Sequence, residues 1–383
     1  MSDMGWLHYN PVNVRFGRGC RADLLPILSS RKCLIVTSEN GRKRLTSDPL
    51  LGRAFENSSG YWVDNIESNP DLHALQKLID SLLEKDVDAV VAIGGGSVID
   101  SGKVLALALA SEVADLALEE LIDIGSQYPI DTSLPLYAVP TTAGTGSEVT
   151  PFATVWDQRK KIKMSLSGPG IFPAYALVDP ELTDSLPYDV TLSSGLDAIN
   201  QAAESIWNKN LTPVSEAYGQ AALREGFDAL PKLLADLGNT VAREAMAQAS
   251  VLAGLAISQT RTALCHAISY PLTSYFDVPH GLACAFTMSA VLQHNLRSND
   301  IRFRRLANSL GCTDLGYKKF LIKKFQKLNN DLNVAAEVRA IIRSKTDLLN
   351  LAEKMVFPGR SDNMLVPASL HDIASILEIS WDN

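Results

Sequence analysis

The first half of this chain carries short, uninterrupted apolar runs, each separated from the next by a stretch of helical periodicity. The runs lack the alternation of polar and apolar residues that a strand with one solvated face shows. They therefore predict strands that are buried on both faces of a parallel sheet. Four such strands are predicted, at residues 32–37, 88–93, 136–140 and 176–178.

After Pro187 the strand-like runs cease, and segments rich in alanine and leucine follow with helical spacing. Helices are predicted at residues 191–207, 213–237, 240–258 and 263–274. A chain of 383 residues suits about two domains. We expect an α/β domain at residues 1–185 and an all-α domain at residues 186–383.

The charge balance limits the class of partner. The chain has 35 Lys and Arg residues against 43 Asp and Glu residues, a net charge of -8. Nucleic acids and anionic membranes require a basic surface. The one lysine-rich stretch, residues 317–325, is predicted to be a solvated helix face because its apolar members fall on one stripe. We expect a small-molecule substrate, and neither a nucleic acid nor a membrane as partner.

The cysteine pattern and the first residues bear on the compartment. The five cysteines are scattered without a CxxC pair, which predicts reduced thiols rather than a disulfide framework or a thiolate zinc cluster. No basic segment followed by an apolar run opens the chain, so no signal peptide is predicted. No apolar run approaches the roughly 18 residues of a membrane span. The expected location is the cytoplasm.

Two loops of small residues follow predicted strands. The loop Gly94-Gly95-Gly96-Ser97 leads into a predicted helix, and residues 140–148 (PTTAGTGSE) follow the next strand. Glycine lets the backbone approach a pyrophosphate, and the N–H groups at the start of a helix attract it. The first loop is not GxGxxG, and alone it fits a simple tight turn equally well. The two loops together favour nucleotide binding at the carboxyl ends of the strands.

Four residues of the second half form a candidate metal site. Asp197 and Gln201 lie four residues apart and hence on one helix face, His266 lies in an apolar helix, and His280 lies in a Pro-His-Gly turn. This mixed oxygen and nitrogen set suits Fe(II) or Zn(II). Each residue also has a structural alternative: His266 as a hydrogen-bonded core histidine, and Asp197 as a helix cap or ion-pair partner.

These motifs, in this order, resemble the iron-containing (group III) alcohol dehydrogenases. The resemblance is carried by the two loops, by Val178-Asp179-Pro180-Glu181-Leu182 and by Pro279-His280-Gly281-Leu282. It implies a dehydroquinate synthase-like fold, in which an α/β dinucleotide-binding domain precedes a helical domain. It also implies a homodimer, interconversion of alcohols and aldehydes with NAD(P), and metal ligands at Asp197, Gln201, His266 and His280. Cofactor contacts are expected at Ser38, Gly95, Gly96, Ser97, Asp100, Thr141, Thr142, Thr145 and Lys163.

The chain departs from the family pattern at two positions. The family usually has histidine where this chain has Gln201 and where it has Tyr270. An amide oxygen is a weaker ligand than imidazole, so the choice between iron and zinc stays open. Tyr270 is expected to offer a hydroxyl to the substrate or to a proton relay.

The stretch from Ile257 to Thr273 resembles one branch of the family, the phosphonoacetaldehyde reductases of phosphonate biosynthesis. In that branch Arg261 is expected to hold the phosphonate, because a guanidinium can make two parallel charged hydrogen bonds. Arg261 reaches the pocket only if the helix of His266 begins after it. The alternative is that Arg261 pairs with a surface carboxylate.

Cofactor preference is argued from the turn after the first predicted strand. Many NAD-dependent members have aspartate where this chain has Ser38, and basic residues at 42–44 suit a 2′-phosphate, whereas Glu39 opposes it. We expect NADP(H), with NAD(H) as the alternative.

The resulting hypothesis is the reduction of phosphonoacetaldehyde to 2-hydroxyethylphosphonate. The alternatives are a general aldehyde reductase without phosphonate specificity, a lyase of the dehydroquinate synthase type, and a nucleotide-binding protein without catalysis. The lyase is disfavoured because the helices around His266 lack the many Lys and Arg residues that its pocket requires.

Overall fold

The computed structural model describes residues 5–57, 60–124, 129, 132–313 and 315–383. Residues 1–4, part of the segment in which no signal peptide is predicted, lie outside them. The strands are β1 (Asn13–Phe16), β2 (Cys33–Val36), β3 (Tyr61–Val63), β4 (Ala89–Gly94), β5 (Leu136–Pro140), β6 (Phe152–Asp157), β7 (Ile162–Ser167) and β8 (Tyr175–Val178). The α-helices of the first half are α1 (Leu25–Ser30), α2 (Glu39–Thr46), α3 (Gly52–Asn57), α4 (Leu72–Leu82), α5 (Gly96–Ala108) and α6 (Leu118–Ile124).

The second half holds the helices α7 (Tyr188–Ile206), α8 (Pro213–Ala235), α9 (Thr240–Thr260), α10 (Leu264–Phe276), α11 (His280–Asn295), α12 (Ile301–Ser309), α13 (Tyr317–Asp331), α14 (Val334–Ile342), α15 (Lys345–Leu349) and α16 (Leu370–Asp382). The helices α7–α10 correspond to the four predicted helices. In α13, Leu321, Phe325 and Leu328 are buried while Lys319 and Lys323 are exposed, as the stripe of apolar residues predicts.

Six strands form one parallel sheet in the order β1-β8-β5-β4-β2-β3. Alternate residues of a central strand enter different hydrophobic clusters. In β4, Val90 and Ala92 join the cluster on one face, and Val91 and Ile93 join the cluster on the other. Burial on both faces explains the uninterrupted apolar runs. The predicted fold class, an α/β half with a parallel sheet followed by a helical half, is confirmed.

Four strands were not predicted. The edge strands β1 and β3 are short, and β1 reads Asn-Val-Arg-Phe without an apolar run. The strands β6 and β7 form a separate antiparallel pair. Its exposed strand β7 carries polar residues, so no continuous apolar signal marks it.

The chain divides into two compact units. The α/β unit holds Asn10–Thr142 and Ser147–Ser185, and the helical unit holds Leu186–Asn383 together with Ala143–Gly146 and the residues up to Tyr9. The predicted domains, 1–185 and 186–383, stay a prediction. Within the described residues, no helix has both the length and the apolar character required to cross a membrane.

Candidate metal centre and cofactor loops

Within the α/β unit, the residues at the carboxyl ends of β2, β4 and β5 are tied to one another. The Thr37 hydroxyl donates to the Ile93 carbonyl at 2.8 Å, and the Thr141 amide donates to the Gly94 carbonyl at 2.9 Å. Gly95 is the N-cap of α5, and a Cβ there would lie 3.5 Å from the Thr142 side chain. The N–H groups at the start of α5 thus lie beside the β5 loop, an arrangement suited to a pyrophosphate.

Several predicted cofactor residues make contacts within the protein. The Asp100 carboxylate accepts hydrogen bonds from the Ser147 hydroxyl and, at 2.7 Å, from the Thr154 amide. The Ser97 hydroxyl accepts from the Asn69 amide at 3.2 Å. These contacts give Asp100 a structural role in fixing the loop after β5.

Lys163 and Thr145 lie in different units. Lys163 is in β7, and its ammonium lies 5.9 Å from the centroid of the Trp156 ring. Thr145 belongs to the segment that packs with the helical unit, where Gly146 has a positive φ of 60°. A Cβ on Gly146 would lie 2.5 Å from the Cα of Gly254, so only glycine permits this approach.

Ser38 is the N-cap of α2 and accepts from the Gly41 amide at 3.2 Å. Arg42, one of the basic residues that follow it, donates to Asp64 at 2.6 Å and lies over the Trp62 ring. The Lys43 ammonium donates to Glu39 at 2.9 Å. Two of the three cations behind the NADP(H) prediction therefore have partners in the protein.

Two buried ionisable residues beside these loops, Lys103 and Glu148, were not predicted. The Lys103 ammonium is fully buried and donates to Ser147 at 2.9 Å, Thr150 at 3.2 Å and the Phe152 carbonyl at 2.8 Å. Burial lowers the pKa of Lys103 to about 8, although Asp100 opposes this. Burial likewise raises the pKa of Glu148 to about 7, against the effect of Lys103. Lys103 therefore holds the loop after β5 from inside the unit.

Within the helical unit, α7, α10 and α11 bring four potential ligands together. Single ligand atoms of Asp197, His266, His280 and Cys284 all lie within 4.8 Å of one another. The His266 Nε2 lies 3.3 Å from the Asp197 Oδ1, and the His280 Nε2 lies 4.0 Å from it. Three of the predicted metal ligands thus share one cluster.

Glu204 fixes the orientation of His266. It lies seven residues after Asp197 on the same face of α7 and is fully buried. Its carboxylate accepts from the amides of Ala263 at 2.7 Å and Cys265 at 2.6 Å, at the start of α10. It also lies 2.7 Å from the His266 Nδ1. We assign one proton to Nδ1, so in the neutral form of the ring that binds a metal the lone pair lies on Nε2, which faces the cluster.

Ser269 fixes His280 in the same way. Its hydroxyl donates to the His266 carbonyl at 2.8 Å and lies 3.3 Å from the His280 Nδ1. Because its single proton is engaged, Ser269 accepts from Nδ1–H, so the lone pair of the neutral His280 ring lies on Nε2, which faces Asp197 and Cys284. Two imidazole lone pairs and a carboxylate oxygen therefore converge, as a divalent metal requires.

Two further residues lie near the cluster of Asp197, His266 and His280: Gln201, which was predicted as a ligand, and Cys284, which was not. Gln201 is buried one turn after Asp197, and its Oε1 accepts no hydrogen bond from any described residue. The Cys284 Sγ lies 3.8 Å from the His280 Nε2. The i,i+4 spacing of His280 and Cys284 was the available sequence signal. The donor set fits a divalent metal.

Electrostatics in the cluster follow from these contacts. Burial alone would raise the pKa of the Cys284 thiol, but His266 and His280 outweigh it and lower the pKa to about 7. Burial opposes protonation of His266, but the negative charges of Cys284 and Glu204 raise its pKa well above the ordinary value. The cluster thus stabilises both thiolate and cation.

Gly281 allows α11 to approach α7. A Cβ at this position would lie 1.8 Å from the Ser193 carbonyl oxygen, and the Gly281 amide donates to the Ser193 hydroxyl at 3.2 Å. The Pro-His-Gly turn therefore sets His280 against Asp197 because no side chain separates the two helices there.

Arg261 lies in the link between α9 and α10, so the helix of His266 begins after it. Its φ is 62°, and its carbonyl accepts from the Asn208 side chain at 3.2 Å. Asn363 donates to the carbonyls of the two neighbouring residues, Thr260 and Thr262, both at 2.9 Å. Among the described residues, Arg261 makes no ion pair, and it is not one of the four clustered ligands.

A second guanidinium belongs to the turn that Asn363 closes. The Asn363 amide donates to the Arg360 carbonyl at 3.0 Å. Arg261 as a residue is exposed to solvent. Local desolvation of its guanidinium and, second, the positive charge of Arg360 lower the pKa of Arg261. The Arg360 Nε is buried and has no hydrogen-bond partner among the described residues.

Tyr270 links this turn to the metal ligands. Its ring stacks on His280 with centroids 6.4 Å apart, and it meets the Phe357 ring edge-on at 5.7 Å. Phe357 begins the turn that holds Arg360, since its carbonyl accepts from the Arg360 amide at 3.0 Å.

Comparisons with known proteins agree with this arrangement. The model of a family described as iron-containing alcohol dehydrogenase matches residues 11–180. That of the Fe-containing alcohol dehydrogenase family, C-terminal, matches residues 191–381. The crystal structure of sulfoacetaldehyde reductase from Bifidobacterium kashiwanohense in complex with NAD+ is similar, with a TM-score of 0.83 and 27% identity. That similarity covers 99% of this chain and 100% of the other.

Two characterised relatives are similar in sequence. Phosphonoacetaldehyde reductase from Streptomyces viridochromogenes is 39% identical over 210 residues, 54% of this chain and 53% of the relative. The chain thus matches about half the length of that reductase. NAD-dependent methanol dehydrogenase from Bacillus methanolicus is 35% identical over 79% of this chain and 78% of the relative.

Proposed function

The chain belongs to the iron-containing alcohol dehydrogenase family, and on that premise we propose that it reduces phosphonoacetaldehyde to 2-hydroxyethylphosphonate. Membership makes it an oxidoreductase of the nicotinamide-dependent alcohol dehydrogenase type. The phosphonate substrate, the NADP(H) preference and the roles of individual residues are the proposal. A homodimer in the cytoplasm stays an expectation.

The observation that carries the phosphonate assignment is the pair of guanidiniums, Arg261 and Arg360. Each lacks an acidic partner among the described residues, and both belong to segments that Asn363 binds together. Two cations on segments that are bound together repel each other when neither has a counter-ion, and an anion bound by both would remove the repulsion. A phosphonate dianion provides the matching charge.

The names of two relatives support an anionic aldehyde. The phosphonoacetaldehyde and sulfoacetaldehyde reductases each act, by name, on a short aldehyde with an oxyanion group at its other end. Methanol dehydrogenase, by contrast, is named for an uncharged substrate. The paired arginines agree with the first two.

The chain's own residues would bind the substrate at both ends. When bound, a divalent metal supplies Lewis acidity to the carbonyl, and the reduced nicotinamide supplies the hydride. Asp197, His266 and His280 would hold the metal together with a fourth ligand, Gln201 or Cys284, and Arg261 and Arg360 would hold the phosphonate. Fixing both ends of so short a molecule restricts the carbonyl to one orientation.

Proton delivery to the product oxygen is proposed for a relay through Tyr270. The ring is buried and stacks on His280, so the residue adjoins a metal ligand. A phenol donates a proton only weakly at neutral pH, and water therefore completes the relay.

The cofactor proposal puts pyrophosphate at Gly95, Gly96 and Ser97, with Thr141, Thr142 and Thr145 from the next loop. Discrimination at the 2′-phosphate would come from Arg44 and from Arg42 if it exchanges Asp64 for the phosphate. Because Arg42 pairs with Asp64 and Lys43 pairs with Glu39, the expected preference for NADP(H) over NAD(H) is modest.

The test is steady-state reduction with zinc- or iron-loaded protein, in which phosphonoacetaldehyde is compared with propionaldehyde. We expect kcat/KM to favour phosphonoacetaldehyde by about a hundredfold, or ~2.7 kcal/mol. Arg261→Ala and Arg360→Ala should each lower kcat/KM for phosphonoacetaldehyde at least tenfold, mainly by raising KM. The kcat/KM for propionaldehyde should stay unchanged. In the same assay, kcat/KM should be higher for NADPH than for NADH.

Arg304→Ala is the matched control, because Arg304 is exposed and lies over Tyr317 in the same unit. It should leave both aldehydes unchanged. Equal rates for the two aldehydes would instead support the second candidate, a general aldehyde reductase, which the methanol dehydrogenase relative favours.

A further inference from the structure

We propose that Cys284 is a metal ligand in this chain, with Asp197, His266 and His280, and that its thiolate selects Zn(II) over Fe(II). The inference rests on the metal dependence that the proposed function assumes and is independent of the aldehyde. The predicted set of Asp197, Gln201, His266 and His280 contained no sulfur.

The backbone of α11 holds Cys284 in place against α7. The Asn200 side chain donates to the Cys284 carbonyl at 3.1 Å. One turn earlier, Gly281 approaches Ser193 so closely that no Cβ fits between them. With both ends of this turn fixed to the helix that carries Asp197, the sulfur has little freedom to move away.

The sulfur faces the other donors. Cys284 is fully buried and its thiol is free of disulfides. Its Sγ is 3.8 Å from the His280 Nε2 and within 4.8 Å of the ligand atoms of Asp197 and His266. Atoms that bind one metal at roughly 2.0–2.3 Å lie about 3–4 Å apart, so a small contraction would bring all four ligand atoms within reach of one ion, which can take the substrate oxygen as a fifth ligand.

Charge and softness favour the thiolate over the amide of Gln201. A thiolate is an anionic, polarisable sulfur donor, whereas the Gln201 amide offers only a neutral oxygen. Metal binding releases the thiol proton to solvent. Thiolates prefer Zn(II), which already exceeds Fe(II) in affinity for nitrogen and oxygen donors.

Cobalt(II) provides a test that needs no substrate. Apoprotein titrated with Co(II) should develop the near-ultraviolet absorption of thiolate-to-cobalt charge transfer. Cys284→Ser should lose that band and keep the weaker visible bands of bound Co(II). Cys312→Ser, which alters another buried cysteine of the same unit, should retain it.

X-ray absorption of the zinc-loaded wild-type protein tests the same ligand without a substitution. A sulfur scatterer at about 2.3 Å is expected. In competition between Zn(II) and Fe(II) under anaerobic conditions, Cys284→Ser should lower the preference for zinc by about tenfold or more. Bound Co(II) without a charge-transfer band, or zinc with nitrogen and oxygen neighbours only, would overturn the proposal. A phosphonate-indifferent enzyme would leave these spectra unchanged.

Discussion

Glu204 shows how one buried carboxylate can bind the start of a helix and orient a histidine, the proposed metal ligand His266, at the same time. Its carboxylate accepts hydrogen bonds from the backbone amides at the start of α10, where the peptide dipoles favour a negative charge. It also accepts a hydrogen bond from the Nδ1–H of His266. Because the imidazole is held from this side, its Nε2 is presented to the cluster without further reorganisation.

Glu204→Gln is therefore expected to weaken metal binding by about 10–100-fold while the chain still folds, because the amide retains an acceptor for α10 but not the charge that orients His266. Zinc titration against a competing chelator measures this. Glu337→Gln, at an exposed position of α14, is the control and should leave the affinity unchanged. Unchanged affinity in Glu204→Gln would show that the tautomer of His266 needs no such support.

The sequence identified Asp197, His266 and His280 as ligand candidates because carboxylates and imidazoles are recognisable one by one. Glu204 and Cys284 were missed for a different reason. Their roles depend on which helix faces meet, and the spacings of seven and four residues are too common to indicate a site. Arg360 lies in a turn about a hundred residues from Arg261, and nothing in the sequence joins them.

At the scale of helices and strands, the inner strands of the parallel sheet were predictable, whereas its two edge strands and the separate pair of β6 and β7 were not. The strands β2, β4, β5 and β8 are covered on both faces and read as apolar runs, whereas β1 and β7 have exposed residues that break the pattern. The contact of α7 with α11 requires glycine at position 281, because a side chain there would overlap the Ser193 carbonyl oxygen. That requirement is not apparent from the sequence, which does not show that Ser193 lies opposite.

Gly281→Ala is expected to separate these two helices locally, since its Cβ would overlap the Ser193 carbonyl. We expect a loss of about 3 kcal/mol or more in the free energy of unfolding and a displaced His280. Urea unfolding and zinc titration measure the two effects. Gly5→Ala, where a Cβ meets nothing within 4 Å, should change neither. Wild-type stability in Gly281→Ala would contradict the close approach.

For the whole molecule, the two compact units have separate hydrophobic cores, and the clustered ligands belong to one of them. The ligands come from three helices, so a bound metal joins parts of the chain that lie up to 87 positions apart in sequence, from residue 197 to residue 284. Metal that binds only the folded form stabilises it by RT ln(1 + [L]/Kd), about 4 kcal/mol when free metal is a thousand times Kd.

Removal of metal by a chelator is accordingly expected to lower the melting temperature of the helical unit by about 10 °C and to leave the α/β unit unchanged. Calorimetry of the zinc-loaded and chelated protein should resolve this as the shift of one transition only. Asp197→Asn removes the clustered carboxylate and should abolish the response to zinc. If both transitions moved together, the metal would stabilise the molecule as one cooperative body. The prediction that the two units unfold separately would then be wrong.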